Sequence, residues 1–158
     1  MKTIIQITLG MVILFIVVCT ARAIDINALD NVSVLMSKSK VHSLLGTPDE
    51  IDGLRGDLKV ELYRVDKMGP MVGAGCIYVE NHQLVGQAFV FKGEMGKEAA
   101  DRLKKNGFTI MEEKEGAFRL LGKDDDTGRP LMVHIILNNG LTVLMSFEKD
   151  FYDRSIKE

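Results

Sequence analysis

The sequence predicts an α+β fold in which two helix-plus-antiparallel-hairpin units share one sheet. Two observations carry that prediction: short one-faced helical segments at 37–45 and 96–107, and two hairpin patterns that can be laid over each other. IYVENHQLVGQAFVFK at 77–92 lies over HIILNNGLTVLMSFEK at 134–149, with Asn81 on Asn138, Leu84 on Leu141 and, after one residue of slippage, Phe91 on Phe147. A helix and a strand precede each hairpin, so an internal duplication is the preferred organisation, with one helix on three antiparallel strands in each unit. The units divide the chain at 24–93 and 94–158.

Residues 1–23 stand apart. Lys2, the uncharged apolar run from Thr3 to Thr20 and the Ala21-Arg22-Ala23 site read as a secretory signal peptide. The run is also long enough for an uncleaved anchor, because about 20 apolar residues span a bilayer. Cys19 follows Val17 and Val18 rather than a small residue, which argues against a lipoprotein. Cleavage after Ala23 removes Lys2 and Arg22 and no acid, taking the net charge from −2 to −4. Such a chain is a poor nucleic-acid binder and gains nothing from anionic lipid. Only Cys76 then remains, so no internal disulfide forms and packing must supply the stability.

Along the mature chain, Val41, Leu44 and Leu45 share a helical face, with Ser37 placed to cap the start and Gly46 to close the end. Pro48 stops continuation. Leu58, Val60 and Leu62 alternate with polar residues and predict a half-buried strand. Residues 67–75 read as a loop, and CIYVE and LVGQAFVF as strands joined through Asn81-His82-Gln83. Ala99, Ala100 and Leu103 make the second helix one-faced, with Asn106-Gly107 as its cap. AFRLLGK, RPLMVHIIL and LTVLMSF supply three more strands, the last two joined by Asn138-Asn139-Gly140, a strong hairpin signal.

LMSKSKVHSLLGTPDEID, residues 35–52, resembles the small envelope proteins of the outer-membrane assembly lipoprotein type, the SmpA/OmlA family. Met36, Ser37, Val41, Leu45, Gly46, Pro48 and Asp52 match its pattern of a helix start, a valine, a Leu-Gly-x-Pro stop and an aspartate, with Leu35 standing where the family prefers glycine. The resemblance extends over about residues 30–92. A doubled unit of this kind looks like the beta-lactamase-inhibitor-protein architecture, and the resemblance implies a protein-binding role in the cell envelope.

No motif points to catalysis, a cofactor or a metal. Cys76 with His42, His82 and His134 lacks any signature of a nucleophile and its base, and a cysteine opening an apolar strand behaves as a small hydrophobe. GEMGKEAADR lacks phosphate-loop spacing, and Gly73-Ala74-Gly75 leads into a strand rather than a helix. Met68 and Met71 near Cys76 suit Cu(I) in softness, but no histidine joins them in the loop. Lys123-Asp124-Asp125-Asp126-Thr127-Gly128-Arg129 lacks the acid spacing of a calcium loop and reads as a solvated turn. Glu112-Glu113-Lys114-Glu115 reads as wet surface.

The expectation is an exported, non-enzymatic protein-binding module, periplasmic or secreted, whose partner is another protein and whose contact with membrane is limited to an uncleaved signal segment. A secreted or periplasmic inhibitor that blocks an enzyme is the alternative, with an exposed hairpin turn as its plug. One sheet face is expected to bury against the helices and the other to meet the partner. Tyr63, Tyr78 and Phe89 are the aromatic candidates there, Tyr63 by strand parity, while His82 and Asn139 sit at the two hairpin tips.

Overall fold

The computed structural model describes residues 23–55, 58–65, 69–79 and 83–157, so the expected signal segment and His82 lie outside the described residues. The chain is an α+β protein with one eight-stranded antiparallel sheet. A 3-10 helix at Ile26–Asn31 leads into α1 at Lys38–Leu45, then β1 at Glu50–Arg55, β2 at Leu58–Arg64, β3 at Met71–Tyr78 and β4 at Leu84–Lys92. The second half runs α2 at Gly96–Lys105, β5 at Thr109–Lys114, β6 at Ala117–Lys123, β7 at Pro130–Asn138, β8 at Leu141–Glu148 and α3 at Lys149–Ser155. Strand order is β1-β2-β3-β4-β8-β7-β6-β5. Two four-strand meanders therefore meet at β4 and β8, and β1 and β5 form the edges.

Three features depart from the sequence expectation. Met71–Gly75 belong to β3 rather than to a loop: glycine weakens strand propensity, yet the ladders pair Gly73 with Arg64 and Gly75 with Leu62. The edge strands β1 and β5 give each meander four strands where three were expected; each pairs on one side only and carries a register shift, so neither shows the alternation that marks a strand. The carboxy-terminal α3 is the third. Glu148 Oε2 accepts from Phe151 N at 2.8 Å to cap it, and Phe151, Tyr152 and Ile156 are buried.

That last helix changes what the sheet presents. Leu58, Val60, Leu62, Ile77, Val90, Val143, Met145 and Phe147 form a cluster with Phe151, Tyr152 and Ile156, so the face expected to be open is covered by α3. The opposite face carries two clusters. Tyr63, Cys76, Tyr78 and Leu84 pack with α1 and the 3-10 helix, and Phe118, Leu120, Val133 and Ile135 pack with Ala100 of α2. The β4–α2 connection is pinned by Thr142, whose Oγ1 accepts from Met95 N at 2.7 Å and donates to Gly93 O at 2.8 Å. Asp49, just after Pro48, accepts from Arg64 N at 2.6 Å and ties the α1 exit to β2.

At the second helix, Phe108 lies on Gly122 of β6 so closely that a Cβ there would meet the ring at 2.1 Å. Gly122→Ala is expected to eject Phe108 and lower unfolding free energy by about 1–3 kcal/mol in urea denaturation. Gly53→Ala, with open space around it and an ordinary φ, is expected to change stability by less than about 1 kcal/mol.

Candidate functional site

Two carboxyl side chains are buried among the described residues: Glu148, which caps α3, and Glu61, which has no exposed surface. Glu61 of β2 is 0 % exposed, because α1 folds back over the face on which strand alternation had suggested solvent. Ser37 caps α1 by accepting from Lys40 N at 3.3 Å, and Gly46, at φ 84°, ends it with its N–H on His42 O. Those ends fix the helix so that Lys38 and His42, four residues apart and hence on one face, reach down to the same carboxylate.

Lys38 Nζ lies 2.5 Å from Glu61 Oε1, an ion-pair contact without good hydrogen-bond alignment, and His42 Nε2 lies 2.6 Å from Oε2. Tyr63 donates its hydroxyl to Oε2 at 3.2 Å. Lys38 Nζ also sits over the Tyr78 ring, 5.3 Å from its centroid, a cation–π contact. Burial pushes the Glu61 carboxyl up, and the close contacts and charges of Lys38 and His42 outweigh it, holding the carboxyl below its ordinary 4.5. The same buried charge reaches its neighbours. Burial first, then Glu61, pushes the Cys76 thiol up to about 12, so it is a protonated, unreactive thiol at neutral pH. Tyr63 and Tyr78 are pushed up as well, chiefly by burial, and the Tyr78 hydroxyl makes no well-aligned hydrogen bond.

This cluster corrects the placement of the aromatic candidates. Tyr63 and Tyr78 are buried at 1 % and 3 % exposure, and Phe89 is half-buried against the same cluster, so none is an open partner-binding anchor. Parity put Tyr63 outward because it assumed one core face; the sheet has two. Asn139 is exposed in the β7–β8 turn with φ 50°, followed by Gly140 at 76°, as a two-residue Asn-Gly hairpin requires. From the sequence His42 stands only as a candidate base for Cys76, and Lys38, His42 and Glu61 remain unconnected. Their signal was a basic pair at i and i+4 facing a lone acid in the next alternating strand.

The sheet supplies an internal control for this site. On one side of the Ala88–Met145 pair, the ladders align Glu61, Cys76, Gln87 and Ser146; on the other they align Phe118, Ile135, Leu144 and Phe89. Both rows lie beneath helices. The second is apolar from Phe118 to Phe89, with the exposed Glu113 at its edge, so a helix packs on that part of the sheet without a buried charge.

On the α3-covered face His134 of β7 is also buried, 6 % exposed, with its ring tilted against that of Tyr152 of α3 at a centroid distance of 5.1 Å. Burial, with the Arg119 charge on the adjacent strand, pushes its pKa down to about 4. Among the described residues no group of three or more His, Cys, Asp or Glu side chains is arranged to hold a metal ion. No helix of the described residues is long and apolar enough to cross a membrane.

Two predictions follow from these charges. Glu61→Met is expected to cost less than about 2 kcal/mol or to stabilise the fold, whereas Lys38→Ala/His42→Ala, which strands the buried carboxylate, is expected to cost about 3–5 kcal/mol in denaturant unfolding. Because the folded Glu61 value is lowered, the stability it contributes is complete above its ordinary 4.5 and lost as pH falls through the folded value, so this contrast shrinks in acid. For His134, the unfolded chain binds the proton more readily between pH 6.5 and about 4. Acidification through that window is expected to lower stability by about 3 kcal/mol, and His134→Phe to flatten that part of the stability profile.

No family model matches the chain, and no curated protein or solved structure is significantly similar to it.

Proposed function

We propose that the chain is an exported, non-catalytic protein-binding module of the bacterial cell envelope, acting in the periplasm or after secretion, with the outer face of α1 as its contact surface. One observation carries the reading: a buried carboxylate holds Lys38 and His42 in place at the surface, where each keeps about a third of its side chain exposed. Side chains already fixed before binding lose less freedom on contact. The apolar cluster under α2 indicates that a helix packs on this sheet without a buried charge, which supports assigning the Glu61 cluster to that ordering.

The resemblance of residues 35–52 to SmpA/OmlA-type proteins agrees with this placement, since its residues Ser37, Val41, Leu45, Gly46 and Pro48 build α1 and its exit. The finer architecture belongs to the same proposal: two repeated units, arranged as in beta-lactamase-inhibitor-protein-like folds. The offset that lays Leu84 over Leu141 also lays Ala88 over Met145, and these two residues pair across the seam where the meanders meet. The inhibitor alternative draws on the exposed Asn139-Gly140 turn.

Affinity capture of the tagged full chain after cross-linking in intact cells distinguishes the two. The binding-module reading predicts a defined envelope protein, a captured chain beginning at Ile24, loss of capture with Ser43→Trp on the outer face of α1, and retention with Asn139→Ala. A soluble enzyme in a one-to-one complex that survives Ser43→Trp and is lost with Asn139→Ala contradicts it.

A further inference from the structure

The first turn of α1, unlike those of α2 and α3, has lysines and no acid to offset them. Helix dipoles favour acids in the first turn and bases in the last. α2 sets Glu98 beside Lys97 in its first turn and Arg102, Lys104 and Lys105 in its last, and α3 sets Asp150 beside Lys149 at its start and Arg154 at its end. α1 has no acid in its first turn and carries Lys38 and Lys40 there, with His42 in its last turn. This arrangement costs helix stability, so the helix alone does not explain it.

The sheet beneath extends the same charge. Lys59 is exposed and pairs on the ladder with Tyr78, the ring over which Lys38 Nζ rests, so Lys59 borders Lys38 at one end of the site. Glu50 and Asp52 of the neighbouring edge strand pair with Leu62 and Val60, residues of the opposite, α3-covered face. Lys38 and His42 thus meet one wholly buried carboxylate, while Lys40 on the same helix and Lys59 on the strand below are exposed, on a chain whose net charge is negative. A basic face on an acidic protein orients encounter with a partner of opposite local charge.

We infer that the α1 face, with Lys40 and Lys59 at its margin and Lys38 and His42 fixed at its centre, docks an acidic segment of a partner protein, one presenting several Asp or Glu side chains. This rests on the binding-module reading above. Glu61 neutralises part of the central charge and holds it in position, while the exposed lysines provide the attraction.

A photoreactive residue placed at Ser39 in the full chain, activated in intact cells, tests this when the cross-linked segment of the partner is sequenced. The expected adduct is to a segment rich in Asp and Glu, reduced about tenfold by Lys40→Glu/Lys59→Glu and less by Lys40→Gln/Lys59→Gln. Both lysines are exposed, so neither change is expected to unfold the chain. A protein adduct to a neutral or basic segment, or one unchanged by charge reversal, overturns the acidic-partner inference and leaves the binding surface standing. Adducts only to lipid, nucleic acid or a second copy overturn the inference, and the absence of any protein adduct at Ser39 removes the α1 surface with it.

Discussion

The antiparallel pairing of β4 with β8 is the constraint on which the rest of the structure depends. It joins two meanders into one sheet from Gly86–Phe147 to Lys92–Leu141. The seam is tight: a Cβ at Gly86 would meet Ser146 O at 2.7 Å and the Phe147 ring at 2.8 Å. With the central strands so fixed, each meander needs a helix on one face, and α3 returns to close the other at the seam. The ladder register then decides which side chains lie under which helix, and through it Glu61 comes to rest beneath α1.

Burying a carboxylate is costly unless partners compensate for its lost hydration. Here the partners come from three positions: two on α1, which reach the charge from the solvent side, and the Tyr63 hydroxyl from the sheet. Because Lys38 and His42 remain partly hydrated, the arrangement avoids the full cost of a dry ion pair. It also makes the helix face specific in register, since sliding α1 by one residue would carry both bases away from the carboxylate. The apolar row beneath α2 holds its helix through volume and hydrophobicity alone, a looser specification of side-chain position.

Much of this fold was legible where the physics is local. The period-two pattern of Leu58, Val60 and Leu62, the Asn139-Gly140 turn and the Ser37 cap each follow from neighbours along the chain. The glycines of β3, the weakly alternating edges and α3 were not, because tertiary pairing and burial determine them. The site was hidden for the same reason. Glu61 and Tyr63 read as the polar side of a strand until α1, about twenty residues earlier in the sequence, supplies a second core. The aromatics expected to be exposed are instead covered by α1, and the contact surface we propose is the outer face of that helix.

The central claim is that Glu61 is ionised beneath α1 and orders Lys38 and His42. Carbon-detected NMR titration of the Glu61 side-chain carboxyl, with the His42 ring nitrogens followed in parallel, tests it most directly. The account predicts an ionised carboxylate that takes up a proton only below its ordinary 4.5, with the His42 Nε2 proton retained in the contact to Glu61. A carboxyl that titrates above 4.5, or a neutral His42 protonated at Nδ1 alone, would contradict it.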